Sequence, residues 1–161
     1  MSGFSFEKLA SYNKILKERR ISGKLNRYWK KLSGQKPFPA EHDINPSDIE
    51  DMWDYCFIIK ADNSCQKGDF EYKYLGQNIS NAYRGELYQV NIDALINMNA
   101  GHLEHEYEKV LAWKRPVISN SETTIGMDKL LKYRQILLPL GDDGVNINAI
   151  IGCMSYRIFT K

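Results

Sequence analysis

Tyr133-Arg134-Gln135-Ile136-Leu137-Leu138-Pro139-Leu140, then Gly141-Asp142-Asp143-Gly144, then Val145-Asn146-Ile147-Asn148-Ala149-Ile150-Ile151-Gly152-Cys153-Met154-Ser155-Tyr156: two runs rich in branched and aromatic residues flank a four-residue Gly/Asp turn. The pattern predicts two adjacent antiparallel strands joined as a hairpin. Asp142 and Asp143 suit the turn, because short carboxylates tolerate the backbone conformations a tight reversal needs. The hairpin closes a sheet and carries no catalytic signature.

Working outward, Val117–Ser119 reads as a further strand, and Pro116 before it stops a longer helix whose Leu103, Tyr107, Val110, Leu111 and Lys114 share one face. Short helical pieces are expected around Ile79–Tyr83 and Val90–Asn97. Tyr55–Lys60 is a compact β-prone run, and Phe70, Tyr72 and Tyr74 alternate with Glu71 and Lys73 as a half-exposed strand should. The polar segment Ala61–Lys67 and Gly68-Asp69 join those two as a hairpin. The order strand, strand, short helices, long helix, three strands is met by an α+β fold with one antiparallel sheet and helices on one face.

Ahead of this body, Ile21, Leu25, Tyr28, Trp29 and Leu32 form a helical apolar stripe, with Lys24, Arg27, Lys30 and Lys31 largely off it. Leu9, Tyr12, Ile15 and Leu16 form a weaker stripe, and Gly23 lies close to the expected break between the two helices. From Ser33 to Asp48 the composition turns to Gly34, Pro37, Pro39 and Pro46, an extended connector. Asn45 and Pro46 read as N-cap and first position of a short helix over Ser47–Met52. The expected organisation is a basic helical extension over 1–35, a connector over 36–51 and the main domain over 52–161.

With 161 residues and 43% hydrophobic content, the chain suffices for one core. Residues 1–36 hold 10 Lys/Arg against 2 Asp/Glu, and the remainder 12 against 18, so a flank of +8 precedes a body of −6. Such a flank is either the solvated face of amphipathic helices or a surface for nucleic acid or an acidic partner. No apolar run approaches the roughly 20 residues of a membrane span, and Met1–Lys17 lacks a signal-peptide apolar region, so a cytoplasmic protein is expected. Cys56, Cys65 and Cys153 are odd in number and share no C-x-x-C spacing, which argues for reduced, buried thiols.

Tyr28-Trp29, Gly34, Pro39, Asp43-Ile44-Asn45-Pro46-Ser47-Asp48-Ile49, Phe70-Glu71-Tyr72-Lys73-Tyr74-Leu75-Gly76, and Leu138-Pro139-Leu140 with Asp142-Asp143-Gly144 resemble a family of small bacterial PAS-domain proteins. The resemblance covers roughly residues 26 to 156 and departs from the family pattern at Tyr88-Gln89-Val90. It implies a five-stranded antiparallel PAS sheet, short helices and one long helix enclosing a pocket, and an N-terminal helical extension of the kind that commonly mediates dimerisation. It also implies a sensory or regulatory role.

A PAS reading invites cofactor tests. Cysteine-adduct flavin binding resembles an Asn-Cys pair on a short helix, where this chain has Asn78-Ile79 and Asn81-Ala82. Haem-binding PAS domains often use a histidine on the long helix, but about 100° per residue turns His105 nearly opposite the inward stripe and His102 to one side. Both cofactors are therefore disfavoured, and the cofactor, if any, is open. His102, His105 and Glu106 have metal-ligand spacing, yet His42 supplies no convincing fourth ligand, so no metal site is assigned. No nucleophile with a base, paired carboxylates, Gly-x-Ser-x-Gly or P-loop marks an enzyme.

The resulting expectation is a non-enzymatic sensor or adaptor, a homodimer acting through a protein partner, with a small-molecule ligand as an option. Pocket candidates are Phe57, Ile59, Tyr72, Tyr74, Tyr83, Tyr107, Leu111, Ile136 and Leu138, each of which core packing alone would also explain. Interface candidates are Leu25, Tyr28, Trp29 and Leu32, because helix aromatics contribute heavily to interfaces, unless Trp29 packs on the chain's own sheet. The alternative is a nucleic-acid-binding regulator using Lys24, Arg27, Lys30 and Lys31, whose affinity would fall steeply with salt.

Overall fold

The computed structural model describes residues 21–61, 71–84, 100–125 and 127–160. The second amphipathic stripe is a helix, α1, over residues 21–33. It is helical through Gly23, and the upstream stripe of Leu9, Tyr12, Ile15 and Leu16, with any break before residue 21, lies outside the described residues. Ile21, Leu25 and Trp29 recur at intervals of four on its buried side, while Lys24, Arg27, Lys30 and Lys31 are exposed. Its end is built from the sequence. The Ser33 hydroxyl donates to the Trp29 carbonyl at 2.9 Å, and Gly34 takes φ +58 as its N–H reaches the Lys30 carbonyl at 3.3 Å.

The connector is more structured than an extended crossing. Phe38, Pro39 and Ala40 are buried, and short 3-10 turns occur at Glu41–Asp43 and Pro46–Ile49. Asn45 caps the second as expected, its side-chain oxygen accepting from the Ser47 N–H at 3.1 Å. The helix expected over Ser47–Met52 is this 3-10 turn, followed by another at Trp53–Tyr55.

Five strands follow: β1 Cys56–Lys60, β2 Glu71–Leu75, β3 Val117–Ile125, β4 Lys129–Leu140 and β5 Ala149–Thr160. They form one antiparallel sheet in the order β2-β1-β5-β4-β3. Helices α2, Gln77–Arg84, and α3, Ala100–Trp113, fall between β2 and β3. The expected helical piece at Val90–Asn97 and the β1–β2 turn lie outside the described residues. α3 stops one residue before Lys114, which turns to φ 53. Lys114 therefore leaves the helix face assigned to it, and its ammonium donates to the Val145 carbonyl at 2.7 Å.

The C-terminal hairpin differs from the four-residue turn in an instructive way. Leu140 pairs with Ala149, so residues 141–148 all belong to the connection. The Asp143 carboxylate accepts from the Val145 N–H at 2.8 Å and the Asn146 N–H at 2.7 Å. Those amides are consequently unavailable to a ladder, and β5 cannot begin at Val145. Gly141 is required here, since a Cβ on it would lie 2.1 Å from the Asn146 carbonyl oxygen.

Because side chains alternate across a strand, the register sorts the sheet into two faces. Ile118, Ile136, Cys153 and Cys56 align on one; Val117, Leu137, Gly152 and Phe57 align on the other. α1 covers the first face, as the 3.7 Å contact between Ser22 Oγ and Cys153 Sγ shows. α3 lies against β3 and β4. On β3, Val117 and Ser119 are buried while Ile118 and Asn120 are exposed, which puts α3 on the second face. The apolar core thus has a layer on each side of the sheet.

Candidate functional site

The second face is a set of rows running across the strands. Phe57 on β1 lies over Gly152 on β5, where an added Cβ would come within 2.5 Å of the Phe57 ring. Leu137 and Val117 continue that row across β4 and β3. Phe57 also meets Tyr72 edge-to-face, with ring centroids 5.9 Å apart. In the next row Ser119 on β3 stands directly opposite Gln135 on β4, which in turn faces the half-buried Met154 on β5. Tyr107 and Val110 of α3 are buried in the same core.

Ser119 and Gln135 are the chemically distinctive part of this interior. Each is only 3% exposed, and among the described residues Ser119 Oγ and Gln135 Nε2 have no hydrogen-bond partner. A buried polar group left unpaired is unfavourable by about 1–3 kcal/mol, so two side by side are a place where a polar group from elsewhere would be stabilised. The serine hydroxyl donates or accepts, and the amide nitrogen donates. Sequence reasoning missed both. Gln135 shares strand parity with Leu137, and Ser119 with Val117; a polar side chain at an inward position was the available signal.

The expected pocket residues divide between the faces. Phe57 and Ile59 are buried on the second face, Tyr72 is half-buried opposite Ile59, and Tyr107 and Leu111 stand on α3, the first buried and the second half-buried. Ile136 and Leu138 are buried but point to the α1 side, a one-residue shift of register from Gln135 and Leu137. Tyr74 stacks on Trp53 at 4.3 Å between centroids, and its hydroxyl donates to the Trp53 carbonyl at 3.0 Å. Burial, then the nearby Asp54 and Cys56, raise its phenol pKa. The Tyr83 side chain lies outside the described residues, as do those of His102, His105 and Glu106.

Of the expected interface residues, Leu25 and Trp29 belong to the chain's own core rather than to an exposed helix face. The Trp29 indole donates to the Pro139 carbonyl at 2.8 Å. Tyr28 is half-buried, and its hydroxyl accepts from the Asn45 N–H at 3.0 Å while lying 3.2 Å from the Asp48 carboxylate, so it ties α1 to the connector. Burial is the largest cause of its raised pKa. Leu32 is half-buried, and of the basic residues Lys24 is paired with Asp51.

Cys56 and Cys153 are free, buried and directly opposite on β1 and β5; Cys65 lies outside the described residues. Burial pushes the Cys56 thiol far up, helped by Cys153 and Asp54. Burial pushes Cys153 up to about 11, against the opposing pull of the Ser22 hydroxyl and the Arg134 guanidinium. Neither is a ready nucleophile at neutral pH.

A five-stranded antiparallel sheet in the order β2-β1-β5-β4-β3, with α2 and α3 inserted between β2 and β3, defines an α+β domain. A PAS-domain family model matches residues 18–155, and the chain belongs to the PAS-domain family. PAS domains are in general sensory and signalling domains that commonly mediate protein interactions and dimerisation. No curated protein matches the chain. Among the described residues, no helix is long and apolar enough to cross a membrane.

Proposed function

We propose that this chain is a non-enzymatic PAS-type sensor or adaptor of bacterial signalling, working in the cytoplasm as a homodimer and acting through protein contacts. A small ligand binds between the sheet and α3. The observation that carries this reading is the cross-strand pair Ser119 and Gln135, buried, with Ser119 Oγ and Gln135 Nε2 unpartnered among the described residues. A ligand with a carbonyl or similar acceptor would take the Gln135 amide hydrogen and the Ser119 hydroxyl, while Phe57, Leu137 and Val117 would pack its apolar part.

Binding there shifts a conformational equilibrium only by its differential affinity for the two states. α1 contacts the opposite face of the same strands, so a change in the strands' spacing reaches α1 and the connector through Trp29 and Tyr28. Native mass spectrometry with an absorption spectrum tests the proposal. The expected species is a dimer carrying a defined extra mass that is lost in Gln135→Leu. A ligand-free mass at every concentration would leave an adaptor whose core is filled by its own side chains.

A further inference from the structure

On the other side of the sheet, α1 and strands β3 and β4 leave a cleft of about 300 Å³ lined by Ser22, Gly23, Asn26, Ile118, Arg134 and Ile136. Ile118 and Ile136 are cross-strand partners and form an apolar wall, Ile118 being 55% exposed at its rim. Ser22, Gly23 and Asn26 come from adjacent turns of α1. Among the described residues, two polar atoms buried at the cleft lack a hydrogen-bond partner: Asn26 Oδ1, an acceptor, and Arg134 Nε, a donor. None of the six lining residues is a carboxylate, so the guanidinium meets no counter-charge from the cleft walls. Its positive charge is felt locally, opposing the burial that raises the Cys153 thiol.

An orphaned cationic donor calls for an oxyanion, and an orphaned acceptor lining the same cleft calls for a hydroxyl. The isoleucine wall calls for a branched apolar group. The volume lies at the small end of ligand cavities. We propose that the cleft between α1 and the sheet binds a small 2-hydroxy carboxylic acid, its carboxylate accepting from Arg134, its hydroxyl donating to Asn26 Oδ1 and its alkyl tail lying on Ile118 and Ile136. The ligand has about four to six carbons. Because one wall is α1 and the other is β4, the bound acid clamps that helix to the sheet. The site shares no side chain with Ser119 and Gln135, which face the opposite side.

The test is a titration of the full chain with 2-hydroxyisovalerate, followed by backbone amide NMR. The expected result is saturable shifts at Ser22–Asn26 and Arg134–Ile136, with a Kd of about 1 mM or tighter. Isovalerate, which lacks the hydroxyl, should bind about tenfold more weakly. Arg134→Gln should weaken both acids by about tenfold or more. Asn26→Leu should abolish the preference for the hydroxy acid while retaining isovalerate, a change in discrimination that a loss of folding would not produce. Absence of saturable shifts up to about 10 mM, unchanged affinity in a folded Arg134→Gln protein, or shifts centred on Ser119 and Gln135 would each overturn the proposal.

Discussion

The indole N–H of Trp29 donates to the backbone carbonyl of Pro139 at 2.8 Å across 110 positions of sequence. Pro139 lies on β4 beyond Leu137, the last residue that β3 pairs, so its carbonyl has no neighbouring strand to accept from on that side. Proline is tolerated there for the same reason, since its missing N–H would have had no partner. The bond thus completes the sheet edge with a helix side chain.

Trp29→Phe keeps most of the buried area and removes the donor, and should lower stability by about 1–2 kcal/mol. Trp29→Ala should lower it by about 3–5 kcal/mol, through the cavity left in the core. Denaturant unfolding measures both. Loss of self-association in Trp29→Ala with undiminished stability would contradict the placement of this side chain in the chain's own core.

Removing the interior orphan should reveal whether the space is occupied. In protein stripped of ligand, Gln135→Leu should raise stability by about 1–3 kcal/mol, because a buried amide nitrogen without a partner among the described residues is replaced by an apolar side chain of similar size. The same variant should no longer carry the extra mass in native spectra. A destabilised Gln135→Leu would mean that the amide is satisfied within the protein.

Gly76 is held where no side chain fits: a Cβ would lie 2.2 Å from the Asp54 carbonyl oxygen, while its own N–H donates to the Cys56 carbonyl at 2.8 Å. Gly34, by contrast, has open space but φ +58. Gly34→Ala should therefore be unfavourable by about 1–2 kcal/mol from the left-handed backbone alone. Gly76→Ala should be the more damaging of the two in thermal unfolding, because backbone must move.

Asp143 titrates with a definite sign. Hydrogen bonds from the Asn146 and Val145 amides, and from the Asn146 side chain, hold its carboxyl down from the ordinary 3.8 to about 2. A depressed folded pKa means that its contribution is present above pH 3.8 and lost as pH falls toward 2. Side-chain NMR titration should show a midpoint near 2, with the Val145 and Asn146 amides losing protection in the same window. A midpoint near 3.8 would contradict the loop geometry.

The thiols predict the alkaline limb. Cys153 is raised from 9.0 to about 11 and Cys56 is raised further, so both ionise more readily in the unfolded chain. The thiols' contribution to stability should be constant below pH 9.0 and decline above it as the unfolded thiols lose protons. Replacing Cys56 and Cys153 together by Ala should flatten that decline, as read by denaturant midpoints between pH 8 and 10.5, on the order of the window these pKa values define. An unchanged slope would assign it to other groups.

Much of the architecture was legible locally. Alternation in Phe70–Tyr74, the stripe of Ile21, Leu25 and Trp29, and the Asn45-Pro46 cap are short-range patterns, and periodicity reports them directly. The hairpin turn was read too short because Val145-Asn146-Ile147 is β-prone in composition, and composition does not reveal that Asp143 has taken two of its amides. Parity failed at Ile136 and Leu138 for a related reason: an apolar run without alternation, as in Ile136-Leu137-Leu138, has no polar residue to mark its outer face.

By itself the sequence determined most element types and the five-stranded antiparallel plan, because these follow from spacing, turn chemistry and hydrophobic pattern, and it carried in particular motifs the resemblance to PAS domains. Only the tertiary structure decided that α1 covers one face of the sheet while α3 covers the other, that Trp29 is core, and that Ser119 meets Gln135 and Asn26 lies across a cleft from Arg134. Those pairs join residues far apart in the chain, and whether a polar group finds a partner is a property of three-dimensional neighbours that no local pattern encodes.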